Sequence, residues 1–528
     1  MANQSKSVEL FDAKAIAPFF ESKSLAVIGA STDPIKQGGR PVRYSLMSDY
    51  NGRVYPINPR ADEVQGAKAY ASLADVPGRV DCAFIALPAP AVEAAITDCA
   101  EKGVRAAVII SAGFAEVGPE GRRHQERITA IAREAGMSLV GPNCMGLMDI
   151  RRNFFPTFAP IFGFNGEARP KPGNISLVSQ SGAFGAHAYE LVRARGAGFS
   201  KWVTTGNQCD VEVSDFVAYM ADDKSTDVIM VYFEGNRDAD KLMAAFRKAR
   251  ENGKPVVLLK AGRSETGVKA AVSHTGSMAG SDAAFDGFCR QFDVHRADTV
   301  GELIDISVAA AAGKFPSRPR AGLVSISGGA GALMADYCDE LGLAVPPLPK
   351  PAQAKLMKLF PFGSALNPID PTALWGQDMS VLSASMETLL KEGGHDTVVL
   401  FGSTIGINEF NRVRFEEHII PLREKYPNPL MVLSLLGAPE LIQKWRDKGF
   451  LIYEDARRAI EVTAALAKFA PIVAGSRKFP ARPRVPENLK IKPGRTFNEA
   501  DAMGALQKAG IKFVRRRLAT SRKAAQDA

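Results

Sequence analysis

The sequence predicts an α/β protein built from three consecutive doubly wound lobes. At 528 residues the chain exceeds what one core supports, given roughly 150 residues per domain. Short apolar runs of strand length alternate with helix-length amphipathic stretches almost to the end, which is the rhythm of parallel βαβ units. Two passages rich in Pro and Gly or Pro and Arg, residues 156–173 and KFPSRPR at 314–320, interrupt that rhythm. The expected divisions are 1–150, 151–313 and 314–475, followed by a basic segment at 476–528.

In the first lobe the strand candidates are SLAVIGA, RVYPINP, VDCAFIALP, RAAVIIS and SLVGP, with helices between them. The second lobe resumes at NISLVSQSG and continues through VIMVYFEG and PVVLLKAG. GLVSISGG, TVVLFGS and PLMVLSLL form the third. No short repeat is visible, although the second and third lobes each open with a strand that runs through a small-residue turn into a helix.

The formal charge is +9, and residues 471–528 alone hold fourteen Lys and Arg against four Asp and Glu. The excess is therefore a property of the tail. RPRVPENLKIKPGR lacks interleaved aromatics and reads as a Pro-broken solvated linker, so no nucleic-acid partner is expected. The N-terminus has no basic flank and continuous apolar stretch of the signal-peptide kind, and no run approaches ~20 apolar residues. A cytoplasmic protein without a membrane partner is the expectation. Cys82, Cys99, Cys144, Cys209, Cys289 and Cys338 show no metal-ligand spacing, which predicts buried reduced thiols and no metal site.

LAVIGASTDPIKQGG (25–39) follows a strand and precedes a helix, so backbone N–H groups and a positive helix end face a place suited to pyrophosphate. The spacing, Gly29 then Gly38-Gly39, is not GxGxxG. At the end of the second strand stand Asn58-Pro59-Arg60, where a dinucleotide dehydrogenase presents an acid for the ribose diol. A cation there favours a ribose bearing its own phosphate, as in NADP or coenzyme A; an ordinary βα turn with a surface Arg is the alternative.

ISLVSQSGAFGAHAYELVRARG (175–196) and GLVSISGGAGALMADYCDELG (322–342) share one plan. Ser179-Gln180-Ser181-Gly182 in the first, and Ser327-Gly328-Gly329-Ala330-Gly331 in the second, let backbone amides approach a ligand closely. Each helix brings about half a positive charge at its N-terminus, worth about 0.3–1 kcal/mol to an exposed anion and up to ~2 when partly buried. Two such turns in consecutive lobes, flanking a histidine loop, suit a dianionic phosphoryl group without any Lys or Arg.

That loop is SHTGSMAGSD (273–282), where His274 sits among Ser, Thr and Gly. An imidazole is a good nucleophile toward phosphorus when a carboxylate fixes its tautomer. Glu234, at the end of the apolar run VIMVYF, is the candidate, because open α/β sheets place ligand sites at the carboxyl ends of strands. An exposed loop histidine and a strand-end cap form the plainer reading. His124, His187, His295, His395 and His418 read as surface or packing residues.

SLAVIGAS, VYPINPR, VDCAFIALPAPAV, GVRAAVIISAGFAEVG, GPNCMGLMD, LVSQSGAFG, TTGNQCDVEVSDF, FEGNRD, KAGRSETGVKAAVSHTGSMAGSD and NPIDPTAL together resemble the ADP-forming acyl-CoA synthetases, which are similar to succinyl-CoA synthetase. The resemblance covers about residues 10–475. It implies a Rossmann-like CoA-binding lobe followed by two flavodoxin-like synthetase lobes. It also implies formation of acyl-CoA, ADP and phosphate from ATP, a carboxylic acid and CoA, through a phosphohistidine and an acyl phosphate. By motif position His274 is the phosphorylated residue and Glu234 its orienting carboxylate. Ser181, Gly182, Gly328, Gly329 and Ala330 cradle the phosphoryl group. Gly29, Ser31, Lys36, Pro59, Arg60, Pro88 and Ser111 fall where the family contacts CoA. Asn207, Asn367 and Asp370 fall on the acyl side.

TFNEADAMGALQKAGIKFVRRRLATSRKAAQDA resembles the opening of an ATP-grasp domain, and none of that fold's later nucleotide or metal residues follows. The expectation is that ATP, ADP and Mg2+ act through a separate ATP-grasp, β-type subunit in an oligomeric assembly. Two rivals follow from the residues. One is a non-catalytic CoA or acyl-CoA sensor. The other is an NADP-dependent oxidoreductase, which leaves residues 175–340 unexplained.

Overall fold

The computed structural model describes residues 10–162, 169–269, 282–475, 496–508, 510–513, 519 and 521–526. The chain forms two compact units, Met1–Ser476 and Arg477–Ala528. The smaller contains the helices Glu499–Lys508 and Arg522–Gln526.

Three sheets organise the larger unit. The first uses β1 (Ser24–Ile28), β2 (Arg53–Ile57), β5 (Cys82–Ile85), β6 (Ala106–Ile109) and β7 (Ser138–Val140) in the order β2-β1-β5-β6-β7, all parallel. A short antiparallel hairpin, β3 (Glu63–Val64) and β4 (Ala67–Lys68), stands beside it. β1, β5 and β6 are buried along their whole length, which explains why their sequences are apolar runs without alternation: helices cover both faces. The strand order reverses direction between β1 and β5, creating the crevice that open α/β sheets use for ligands.

The second sheet takes β8 (Leu147–Asp149), β9 (Pro172–Ser179), β10 (Phe199–Thr204), β11 (Val228–Phe233), β12 (Val256–Lys260) and β13 (His295–Ala297) in the order β13-β12-β11-β9-β10-β8. All are parallel except β8, which pairs antiparallel with β10. Its switch point lies between β9 and β11. In the third sheet, β14 (Gly322–Ser325), β15 (Thr397–Gly406), β16 (Leu430–Gly437) and β17 (Leu451–Tyr453) run parallel in sequence order. Parallel bridges Arg320–Ala344 and Val324–Ile369 extend it past β14.

The second and third sheets share an apolar core, packed through the helices Val300–Ala311 and Ala456–Val473. Inside that seam Asp305, 2% exposed, receives Arg195 and Arg458, each at 2.7 Å. The first lobe is tied to the chain beyond it by Tyr44, whose hydroxyl donates to the Ala159 carbonyl at 2.8 Å, and by the Arg133–Asp210 ion pair at 2.9 Å. All six cysteines are buried free thiols. Among the described residues no helix is long and apolar enough to cross a membrane, and no group of three or more His, Cys, Asp or Glu could hold a metal ion.

Candidate active site where two lobes meet

At the end of β1 the chain turns through Gly29 at φ +84°, and a Cβ there would collide with the Ala86 carbonyl. Gly38 and Gly39 are equally confined, against Gly29 and Asp33 backbone. The loop is therefore folded on itself, at positions where only glycine fits. Ser31 Oγ accepts from the Asp33 N–H at 3.1 Å, and Gln65 Nε2 donates to the carbonyls of Ser31 and Gly39, both at 3.0 Å. Asn58 steadies the neighbouring strand end: its Nδ2 donates to the Ala30 carbonyl at 2.9 Å and its Oδ1 accepts from the Arg60 N–H at 2.8 Å. Lys36, Pro59, Arg60 and Pro88 are exposed. Pro88 caps the helix Ala89–Glu101, and the Ser111 hydroxyl donates to the Leu87 carbonyl at 2.5 Å. The seven CoA-contact positions expected from sequence thus all lie at the carboxyl ends of β1, β2, β5 and β6.

On the second lobe Glu234 follows β11 directly and is 8% exposed. The Tyr232 hydroxyl is pushed up to about 12, by burial first and then by the charge and hydrogen bond of Glu234. Gln180 fixes the backbone around the carboxylate. Its Oε1 accepts from the N–H groups of Glu234 and, at 3.0 Å, Gly235, while its Nε2 donates to the Gly235 carbonyl at 2.8 Å. Ser181 is the N-cap of the helix Gly182–Ala194, accepting from the Phe184 N–H at 3.3 Å. This is the cap the sequence signature calls for, because a Ser side chain satisfies an otherwise orphaned helical donor.

Ser111, Gln180, Ser181 and Glu234 face one cavity of about 520 Å3, whose walls also include Asn143, Gly182 and Asn207, whereas Gly29, Ser31, Lys36, Pro59, Arg60 and Pro88 do not line it. The first lobe supplies one side and the second the other. Among the described residues, Glu234 is the only charged one lining it. His274 lies outside the described residues.

Asn207 holds its place with both ends of its amide. Nδ2 donates to a carboxylate oxygen of Glu116 and, at 3.1 Å, to Gln125 Oε1, and Oδ1 accepts from Asn143 at 3.4 Å. Burial alone would push the Glu116 carboxyl up. The hydrogen bonds from Asn207 and from the Gly113 and Phe114 N–H groups outweigh that and hold it below the usual carboxylate range.

The third lobe repeats the turn. Ser325 Oγ donates to the Ser327 carbonyl at 2.6 Å, as Ser179 Oγ donates to that of Ser181 at 2.6 Å. Ser327 caps the helix Gly328–Leu341. The register extends the likeness, since Ser325 pairs with Phe401 where Ser179 pairs with Tyr232. Two residues past each partner stand Ser403 and Glu234, so the third lobe has the turn without the carboxylate. Gly328, Gly329 and Ala330 do not line the 520 Å3 cavity. Beside them lies Asp370, whose Oδ2 is 3.0 Å from where a Gly328 Cβ would be. Asn367 is spent on the fold: Nδ2 donates to Ala321 and Pro346 carbonyls at 3.1 and 2.9 Å, and Oδ1 accepts from the Leu323 N–H at 2.8 Å.

Glu116 and Asn143 carry no signal of their own in the sequence, whereas Gln180 belongs to the small-residue turn that the sequence marks, without its role toward Glu234.

Residues 23–149 match a CoA-binding domain and residues 172–310 a succinyl-CoA ligase-like flavodoxin domain. The alpha subunit of ADP-forming acetate–CoA ligase II from Pyrococcus furiosus is 34% identical over 466 residues, spanning 87% of this chain and 98% of that one. ADP-forming 4-hydroxybutyrate–CoA ligase from Nitrosopumilus maritimus is 32% identical over 466 residues, 87% of this chain and 65% of that one. Among solved structures, the dinucleotide-forming acetyl-coenzyme A synthetase 1 of Ca. Korarchaeum cryptofilum, in complex with phosphate and ADP, superposes with a TM-score of 0.78 at 29% identity, covering 88% and 98% of the two chains. A CoA-binding lobe joined to a succinyl-CoA ligase-like lobe defines the acid–thiol ligase class. The chain belongs to the ADP-forming acyl-CoA synthetase family.

Proposed function

We propose that this chain is the acyl- and CoA-handling part of an ADP-forming acyl-CoA synthetase. ATP, ADP and Mg2+ are engaged by a separate ATP-grasp subunit of an oligomeric, cytoplasmic assembly. The division 1–150, 151–313 and 314–475 separates a CoA lobe, a phosphohistidine lobe and a second synthetase lobe. The observation that carries this reading is the joint cavity. It sets Glu234 and the Ser181-Gly182 helix end from one lobe against the Ser111 side of the CoA lobe.

Glu234 orients His274, which passes its phosphoryl group to a substrate carboxylate: the N–P bond breaks, an O–P bond forms, and the imidazole is released. The CoA thiol then adds to the acyl carbon and gives its proton to water or the leaving group. The C–O bond to phosphate breaks, yielding thioester and inorganic phosphate. Amides preorganised at Ser181 and Gly182, joined by those at Gly328, Gly329 and Ala330, stabilise the charge that develops in both steps. The CoA contacts are Gly29, Ser31, Lys36, Pro59, Arg60, Pro88 and Ser111, around a turn so close to the next strand that a Cβ at Gly29 would collide with the Ala86 carbonyl. With no cation among the described residues of its wall, the cavity favours a monocarboxylate, since a second buried carboxylate would find no partner among them.

The test runs the reaction backwards. The purified chain is incubated with labelled inorganic phosphate and a panel of acyl-CoAs, with His274→Asn as control. Acid-labile, base-stable label that depends on one acyl-CoA and is lost in the variant supports the synthetase and names its substrate. CoA binding without label on any acyl-CoA overturns it in favour of the sensor.

A further inference from the structure

We propose that Glu116 is a positioning residue that sets the CoA-side wall of the cavity against its acyl-side wall; this rests on the synthetase reading above. The carboxylate is shared between the two lobes. Oε1 accepts from the N–H groups of Gly113 at 2.6 Å and Phe114 at 3.2 Å, so it organises the loop that leaves β6 and carries Ser111. Oε2 accepts from Asn207 Nδ2, on the turn that leaves β10.

That turn is held from two further sides. A Cβ on Gly206 would overlap the carbonyls of Pro142 and Asn143, so the backbone lies flat on the end of the first sheet. The Asn207 N–H donates to the Pro142 carbonyl at 2.9 Å and the Cys209 N–H to that of Gly141 at 3.0 Å. From the Glu234 side, Arg237 donates to the carbonyls of Gln208 at 2.6 Å and Asn207 at 2.9 Å. Hydrogen bonds therefore run from the loop bearing Ser111, through Glu116 and Asn207, to the segment that follows Glu234. Glu116 is not among the residues that line the cavity, and both of its oxygens are engaged by the two loops it joins. Its part is geometric, in a reaction where a small misplacement of the attacking atom is costly.

A glutamine at 116 keeps the shape and breaks the pattern, because one end of its amide must then face donors with a donor. The two half-reactions separate its effects. Labelling of His274 by 32P-acetyl phosphate involves no CoA, whereas labelling by acetyl-CoA plus 32P-phosphate first requires phosphate to displace the CoA thiol from the thioester. In Glu116→Gln, label from acetyl phosphate is expected to stay within about twofold of the parent, and label from acetyl-CoA to fall about tenfold or more, with CoA affinity changed less than about threefold. Parallel loss from both donors, or no loss from either, overturns the inference. Melting curves accompany both assays. If Glu116→Gln does not fold, Glu116→Asp, which keeps the charge on a shorter arm, is read by the same ratio. A parent chain that takes label from no acyl-CoA of the panel overturns the synthetase reading instead, and one that takes label from another acyl-CoA is assayed with that acyl group in both donors, so the two failures are distinct.

Discussion

Gln180 and Gly235, distant in sequence, are joined by a reciprocal pair of hydrogen bonds at 2.8 and 3.0 Å. The first bond runs from the side-chain amide to the carbonyl and the second from the backbone N–H to the side-chain oxygen, and a third holds the Glu234 N–H. The carboxylate at the strand end therefore owes its position to a residue just past the end of the neighbouring strand.

Gln180→Leu removes those three bonds and leaves their backbone partners buried. At about 1 kcal/mol each, stability should fall by about 3 kcal/mol in urea denaturation. Label on His274 from acyl-CoA and phosphate should fall by about tenfold or more, as the carboxylate loses its fixed approach.

Gly29→Ala places a methyl group in the Ala86 carbonyl at a φ of +84°, a conformation that costs an L-residue about 1–2 kcal/mol before any clash. CoA affinity measured by calorimetry should drop by about tenfold or more. Label on His274 from acetyl phosphate, which does not use that loop, should persist.

The matched caps offer a comparison. Ser181→Ala and Ser327→Ala each remove one capping bond, and each should cost about 1 kcal/mol of stability. Ser181→Ala should also reduce phosphohistidine formation, measured as the steady-state level of label at fixed acyl-CoA.

Acid should act through Asp223. Burial alone would raise this carboxyl, but Lys201, Ser225 and Thr226 bond to it and hold it at about 2 against an ordinary 3.8. Such a group stabilises the fold fully above its unfolded value, and its contribution is lost as pH falls from about 5 toward 2. Asp223→Asn should remove about 2 kcal/mol at pH 7 and flatten the acid limb of the stability curve measured by urea denaturation. Asp149, on the same lysine, is raised by burial and works in the opposite sense, so the comparison is made with Asp149 intact.

What could be read from the sequence was local. Runs such as VIMVYF and VVLLK announce buried parallel strands, Ser181 and Ser327 announce helix starts, and an acid after an apolar strand announces Glu234. The ties between lobes could not be read that way. Asn207 meets Glu116 across 91 residues and Gln180 meets Gly235 across 55, and nothing in either neighbourhood marks the partner. Asn367 shows the limit in the other direction: its motif places it near the acyl side, while all its polar atoms are taken by backbone. Ser403 stands in the place of Glu234 only once the strand register is known.

Cys144 sits in the wall of the cavity, 3% exposed, its thiol directed to the Ile109 carbonyl at 3.4 Å and pushed up to about 12, chiefly by burial. A synthetase that brings an activated acyl group to a thiol has a rival thiol within its own wall. Because only the thiolate attacks, Cys144 stays silent at neutral pH, and the acyl group is left for the incoming cofactor instead of being trapped as an ester of the protein.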